Sequence, residues 1–161
     1  MNNEVYFNRI FEENYPRVMG LCFGYVSGNE DLAKDLAQEV FLKVWQNLNN
    51  FKGESKIATW IYRITVNTCL QELRRKNHVS LKIDMAAEVT ANQNEKESRF
   101  AEMYRCINKL SPENKSIILL ELEEVPQQEI ANIIGISHRA VRTRIHRIKE
   151  QLSKCVYNEQ L

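Results

Sequence analysis

The chain has 161 residues, of which 43% are hydrophobic and 27% charged, ordinary proportions for a soluble globular protein of one domain or two small ones. That excludes a wholly disordered chain, a collagen and a membrane bundle. The longest apolar run, Val18 to Val26, is broken by two glycines and falls far short of the ~20 residues a bilayer span needs. Met1-Asn2-Asn3-Glu4 lacks the basic-then-apolar pattern of a signal peptide, so a cytoplasmic location is expected.

Four cysteines, Cys22, Cys69, Cys106 and Cys155, are spaced 47, 37 and 49 residues apart. There is no Cys-x-x-Cys and no His-Glu-x-x-His, so neither a zinc site nor a disulfide framework is expected, and the cysteines read as reduced and buried. No cofactor is expected. No Ser/His/Asp or Cys/His set and no glycine-rich phosphate loop is recognisable, which argues against an enzyme.

The formal net charge is only +1, yet it is the sum of unlike blocks. Residues 1–50 hold 4 Lys/Arg against 7 Asp/Glu, and residues 51–76 hold 6 against 2. Residues 77–110 balance at 5 against 5, residues 111–136 hold 1 against 5, and residues 137–161 hold 6 against 2. Two basic blocks, each with an acidic block before it, are what separate phosphate-facing surfaces require, because neutralising phosphates releases condensed counterions.

Apolar spacing is helical nearly throughout, with no period-two stretch long enough for a sheet. The expected fold is all-α: two small helical domains joined by a flexible linker. A first helix is expected from Glu4 to Tyr15, resuming after Pro16, since proline opens a helix or kinks one. Gly20, Gly24 and Gly28 recur every four residues, a spacing that lets two helices approach closely. Asn29 caps a second helix with Glu30 and Asp31 in its first turn; Leu32, Leu36, Val40, Val44 and Leu48 form its apolar stripe. Phe51-Lys52-Gly53-Glu54-Ser55 reads as a loop, and a long helix follows from Ser55 to Lys76. Residues 77–96 read as the linker, with Asn92 to Glu97 the most polar stretch of the chain. As a random coil, twenty such residues span about 25 Å, enough for the domains to sit apart.

The second domain opens with a helix carrying Phe100, Met103, Ile107 and Leu110. Ser111-Pro112-Glu113 marks a helix start by its capping hydroxyl and its proline at the first helical position. Pro126 opens a short helix ended by Gly135, and Ser137 caps the last one. Residues 126–146 thereby carry a helix-turn-helix pattern, with Ala131 small at the crossing, Gly135 in the turn, and Ile136, Val141 and Ile145 packing the second helix on the first. At about 100° per residue, Val141, Ile145, Ile148 and Leu152 fall on one side of that helix. His138, Arg139, Arg142, His146 and Lys149 fall on the adjoining flank, with Glu150 the only acid between Ser137 and Lys154. The earlier basic block is also one-sided: Lys56, Arg63, Asn67 and Arg74 lie within about 40° on a helical wheel, with Gln71 about 40° beyond Asn67. Asn and Gln amides can hydrogen-bond base edges while Arg and Lys hold phosphates.

These residues resemble the extracytoplasmic-function (ECF) sigma factors, the minimal branch of the bacterial sigma-70 superfamily, from about Phe7 to Leu152. Asp35-Leu36-Ala37-Gln38-Glu39-Val40-Phe41, with Trp45 and Leu48, resembles the region that docks on core RNA polymerase. Phe51 to Ser55, then Thr59-Trp60-Ile61-Tyr62-Arg63-Ile64 and Asn67, resembles the loop and helix that recognise the −10 element. Leu110-Ser111-Pro112-Glu113 and Gln128-Glu129-Ile130-Ala131 to Arg147 resemble region 4, which reads the −35 element.

The resemblance implies domains at 1–76 (region 2) and 97–161 (region 4), with the linker at 77–96 between them. Core polymerase would be bound through Asp35, Gln38, Glu39, Phe41 and Trp45. The −10 element would meet Phe51, Lys52, Ser55, Lys56, Arg63, Asn67, Gln71, Arg74 and Arg75, with a flipped base held by the Phe51–Ser55 loop and Asn67. Trp60, beside Ile57, Ile61 and Ile64 on the wheel, is assigned to core packing. The −35 element would meet His138, Arg139, Arg142, Thr143, His146 and Arg147. The implied partners are core RNA polymerase, promoter DNA and an anti-sigma factor, which in this family is often membrane-anchored and would then hold the chain at the inner membrane. Elements about 25 base pairs apart lie roughly 85 Å apart at ~3.4 Å per pair, a distance that suits two domains on an extended linker. The alternative is a conventional dimeric helix-turn-helix repressor or activator, against which the Asp35–Phe41 motif and the second basic face argue.

Overall fold

The computed structural model describes residues 2–80 and 95–159. Seven α-helices and no strand occur among them: α1 (Asn3–Tyr25), α2 (Glu30–Asn47), α3 (Ile57–Ser80), α4 (Glu95–Asn108), α5 (Pro112–Leu122), α6 (Gln127–Ile134) and α7 (His138–Glu159). A short 3-10 turn at Leu48–Asn50 follows α2. The local punctuation works as expected. Asn29 Oδ1 accepts from the Leu32 amide at 3.1 Å, Ser111 Oγ from the Asn114 amide at 3.3 Å, and Ser137 Oγ from the Ala140 amide at 3.1 Å. Gly135 ends α6 at φ 86°, a left-handed conformation that costs glycine no Cβ clash. Pro126 sits at the capping position itself, its carbonyl accepting from the Glu129 and Ile130 amides.

Pro16 does not divide the first helix. α1 runs through it because Ile10, Val18, Leu21, Cys22 and Tyr25 form one buried stripe across the proline. Burying several such side chains at about 1.5–3 kcal/mol each outweighs the ~3 kcal/mol an interior proline costs. Pro16 and Glu12, whose carbonyl loses its helical partner, both face solvent, where water replaces the missing bond. α1, α2 and α3 pack together around Val18, Leu21, Ala33, Leu36, Ala37, Val40, Val44, Ile61, Tyr62 and Val66. α4 to α7 enclose Ile107, Ile117, Leu120, Ile130, Val141, Ile145 and Ile148. Leu32 is 37% and Phe100 58% exposed, so both lie off the apolar stripes expected of them.

The two domains are in contact. A Cβ on Gly24 would collide with the Leu119 side chain of α5, and one on Gly20 with the Glu123 carboxylate. The glycine spacing along α1 thus admits α5, whereas Gly28 lies beyond the helix in a left-handed turn at φ 84°. Beside this seam the buried Tyr25 hydroxyl hydrogen-bonds Ser116 Oγ, which itself donates to the Pro112 carbonyl at 2.9 Å. Asn108 Nδ2 reaches Ser27 Oγ, and the buried Lys115 ammonium donates to Asn108 Oδ1 at 2.7 Å. Burial pushes the Lys115 ammonium below its ordinary range and the Glu123 carboxyl above it, the latter against the pull of Arg17. α3 extends to Ser80 and α4 begins at Glu95, so both ends of the expected linker are helical; its middle, 81–94, lies outside the described residues.

The expectation of four reduced cysteines is corrected for one pair. Cys106 of α4 and Cys155 of α7 form a disulfide, their Cα atoms 5.9 Å apart. A separation of 49 residues in sequence carried no sign of it; the side-by-side packing of α4 and α7 creates it. Cys22 and Cys69 are free and buried, with sulfurs 3.8 Å apart. The Cys69 thiol is held well above the ordinary range, first by its hydrogen bond to Cys22 and then by burial. Because the Cys106–Cys155 bond closes a long loop, Cys155→Ser should lower the stability of residues 97–161 by about 2–4 kcal/mol. Urea unfolding followed by helical circular dichroism checks this, with reductant expected to bring the unsubstituted protein down by the same amount.

Candidate functional site

Three surfaces carry the residues singled out above. The first is on α2. Its inward stripe of Ala33, Leu36, Ala37, Val40 and Val44 is buried, which turns Asp35, Gln38, Glu39 and Trp45 outward. Asp35, Gln38, Leu42 and Trp45 lie three, four and three residues apart and so share a face within about 80°. Leu42 is 55% and Trp45 45% exposed, apolar groups that the interior does not claim. Phe41 is placed differently from the rest: only 4% exposed, it lies under the surface, its ring 4.7 Å from Phe11 and 6.1 Å from Tyr15. It therefore supports the face from beneath. Phe7 meets Trp45 edge-on at 5.1 Å. Sequence reasoning missed Phe7, Phe11 and Leu42; the i, i+4 aromatic series Phe7, Phe11, Tyr15 was the available signal. Glu39 is paired within α2 to Lys43 at 3.3 Å.

The second surface is the loop before α3 and the outer strip of α3. Phe51 is half-buried, with its ring 5.2 Å from Trp60, and this contact fixes the start of the loop; Gly53 turns it at φ 73°. Trp60 is part of the packing around the core, as expected from its wheel position. Lys52 is exposed, and Ser55 Oγ donates to the Lys56 carbonyl at 3.1 Å. Lys56, Asn67, Gln71, Arg74 and Arg75 are exposed and Arg63 half-exposed, while Ile61, Thr65, Val66, Thr68 and Cys69 face inward. From Lys56 to Asn67 the strip covers three turns, about 16 Å at 1.5 Å per residue. Its charges are not all unpaired. Lys56 meets Glu129 of α6 at 2.9 Å, Arg63 donates to the Asn132 carbonyl at 3.2 Å, Arg75 pairs with Glu72 at 2.9 Å, and Gln71 accepts from Lys43 at 3.4 Å.

The third surface is on α7. Val141, Ile145 and Ile148 are buried and Leu152 half-buried, the stripe expected for packing on α5 and α6. That orientation leaves Arg139, Arg142, Thr143, His146 and Arg147 together around a shallow groove of about 440 Å³. His138 is half-exposed at the start of the helix and does not line it. Thr143 Oγ1 is turned back to the Arg139 carbonyl at 3.1 Å, and His146 Nδ1 lies 4.0 Å from Glu150. Arg144 and Lys149 are drawn off the groove by α5, to Glu113 at 2.8 Å and Glu121 at 3.6 Å. A groove lined by three guanidiniums and an imidazole, with no acid on its wall, offers donors for phosphate and base edges.

Comparison with known proteins agrees in both halves. Residues 10–79 match the Sigma-70 region 2 family and residues 100–152 the Sigma-70 region 4 family. The ECF RNA polymerase sigma-E factor of Haemophilus influenzae is 32% identical over 162 residues, spanning 91% of this chain and 85% of that protein. RNA polymerase sigma factor YlaC of Bacillus subtilis is 29% identical over 154 residues, 90% of this chain and 88% of that one. In overall fold the chain is similar to the sigma factor RpoE of Bartonella quintana, solved with the anti-sigma factor NepR, at a TM-score of 0.74 and 18% identity over 94% of this chain and 96% of that one. It is similar also to CnrH, solved with the cytosolic domain of CnrY, at a TM-score of 0.72 and 21% identity over 98% and 91%. With region 2 and region 4 in that order and a sigma-E relative 32% identical over 91% of this chain, the chain belongs to the ECF sigma factors of RNA polymerase.

Proposed function

We propose that the chain binds core RNA polymerase and directs it to promoters, with each of the three surfaces taking one partner. The observation that carries this reading is the presence of two basic faces on different helices of one chain, on α3 and α7, beside a separate exposed acidic and aromatic stripe on α2. A helix-turn-helix repressor has use for α7 alone. The domain limits are 1–76 for region 2 and 97–161 for region 4, with 77–96 connecting them.

Asp35, Gln38, Glu39 and Trp45 dock on the polymerase, with Leu42 inside the contact and Phe41 beneath it. The −10 element lies along α3, with Lys52, Lys56, Arg63, Arg74 and Arg75 toward phosphates and the Phe51–Ser55 loop, Asn67 and Gln71 toward bases. Extruding a base costs a few kcal/mol, which amide contacts and the basic strip must offset. Arg139, Arg142, Thr143, His146 and Arg147 enter the major groove at the −35 element, with His138 at its edge. An anti-sigma factor is the fourth partner, by likeness in fold to a sigma factor solved with one, and a membrane-anchored one would hold the chain at the inner membrane. No chemical step is assigned to the chain itself.

The decisive experiment is co-elution of the purified protein with bacterial core polymerase, followed by transcription from genomic fragments. Binding with new start sites supports the proposal; no binding to competent core, with dimeric binding to a palindrome, would sink it. Asn67→Ala should impair promoter melting, followed by permanganate reactivity, while polymerase binding is retained; equal loss of both would contradict its role. Arg142→Ala should cost about 1–3 kcal/mol in −35 recognition if it reads a base, measured by competition between promoter variants. Gln38→Ala with Glu39→Ala should weaken binding to core at unchanged helicity, measured by fluorescence anisotropy.

A further inference from the structure

A single ammonium group ties α2 to the outer strip of α3. Lys43 of α2 carries three N–H donors and no acceptor, and three oxygens surround it: Thr68 Oγ1 at 3.2 Å, Glu39 Oε1 at 3.3 Å and Gln71 Oε1 at 3.4 Å. Residue spacing builds the cluster. Glu39 lies one turn before Lys43 on α2, and Thr68 and Gln71 are three apart on α3, where such pairs share a face. Thr68 is the anchor: it is 2% exposed, and its one hydroxyl proton goes to the Ile64 carbonyl at 2.7 Å, so toward Lys43 its oxygen only accepts. The Lys43 side chain is itself 33% exposed, which keeps the ammonium at the helix junction and off the open surface. Its effect falls on Gln71. An ammonium attracts the oxygen of an amide and repels the NH2 group, so Oε1 is turned to Lys43 and the two Nε2 donors are left for a ligand.

We propose that Lys43 is a positioning residue for base recognition: by holding Gln71 Oε1 it makes Gln71 a donor-only reader, which favours a keto base of the −10 element, thymine or guanine, over adenine. A glutamine with both ends free pairs with adenine through an acceptor and a donor together. With its oxygen engaged, Gln71 has no acceptor for the adenine amino group, whereas thymine O4 and guanine O6 accept from Nε2 alone. This rests on the assignment of α3 to the −10 element. The state of the Gln71 amide is a property of the free chain, measurable without polymerase or promoter.

The test uses polymerase assembled from bacterial core and the full chain, on promoters with each −10 position randomised in turn, and reads the bases recovered in transcripts. At the position whose profile Gln71→Ala alters, the unsubstituted chain should favour a keto base over adenine by about fivefold, the worth of one neutral hydrogen bond. Lys43→Met should flatten that preference. Lys43→Arg, whose guanidinium also only donates, should keep it. Gln71→Glu retains the tie between the helices but offers acceptors alone, and should turn the preference toward adenine. Each profile is a ratio within one polymerase, so a general loss of stability or of core binding does not move it. In the free chain, the side-chain amide resonance that disappears in Gln71→Ala should shift in Lys43→Met. The proposal is overturned by a Lys43→Met profile like that of the unsubstituted chain, by equal loss in Lys43→Arg, or by a Gln71→Glu profile still favouring keto bases. A Gln71→Ala chain with an unaltered profile at every position would overturn it too. Failure of the promoter assignment would show separately, as an unsubstituted chain that starts no transcription with core polymerase.

Discussion

Everything in this molecule is arranged around α1. Its buried stripe from Ile10 to Tyr25 closes the first domain over α2 and α3, and its second side, bare of Cβ atoms at Gly20 and Gly24, takes α5 of the other domain. A helix interrupted at Pro16 could not do both, because the two halves would lose a common axis. The exposed position of Pro16 keeps its missing amide on the solvent side and leaves the inward stripe intact. The same helix sends Phe7, Phe11 and Tyr15 across to Phe41 and Trp45, so the exposed face of α2 depends on α1 as much as on α2.

Electrostatics divides the cationic side chains into those the fold uses and those it leaves available. Arg144 and Lys149 are tied to α5, Arg75 to its own helix, and Lys43 to Glu39 with Thr68 and Gln71 nearby. The α7 groove keeps Arg139, Arg142 and Arg147 without an acidic wall residue. Such a surface gains by releasing counterions when it meets phosphates, and that gain falls as salt rises. The α3 strip is in a different condition, since part of its charge is already answered by α6. The two basic faces of one small protein are thus unequally free of internal partners, although their sequence blocks carry the same excess of Lys and Arg over Asp and Glu.

What was legible in the sequence was local or periodic. The caps at Asn29, Ser111 and Ser137, the turn at Gly135 and the sidedness of α7 follow from chemistry within a few residues, and the structure repeats them. Gly20 and Gly24 announced a close approach without naming the partner, because the partner, α5, is nearly a hundred positions away in sequence. Three features were illegible for one reason, dependence on packing between distant segments. Pro16 was overridden by tertiary burial, Cys106 met Cys155 only once α4 and α7 lay side by side, and Phe41 went under α1 instead of facing outward. The charge blocks were visible as blocks, but that one of them would sit on another was not.

The position of α6 on α3 also has a consequence in time. Chains are made from the N-terminus at about 5–20 residues per second, and domains fold as units during synthesis. Residues 1–80 contain the whole of α1 to α3, while α6 ends at Ile134, 54 residues later. The first domain therefore spends about 3–10 s on the ribosome with its basic strip uncovered, surrounded by ribosomal RNA, the most concentrated polyanion in its vicinity. Only when α6 is complete and packed can Lys56 and Arg63 take the partners they have in the finished chain, Glu129 and the Asn132 carbonyl.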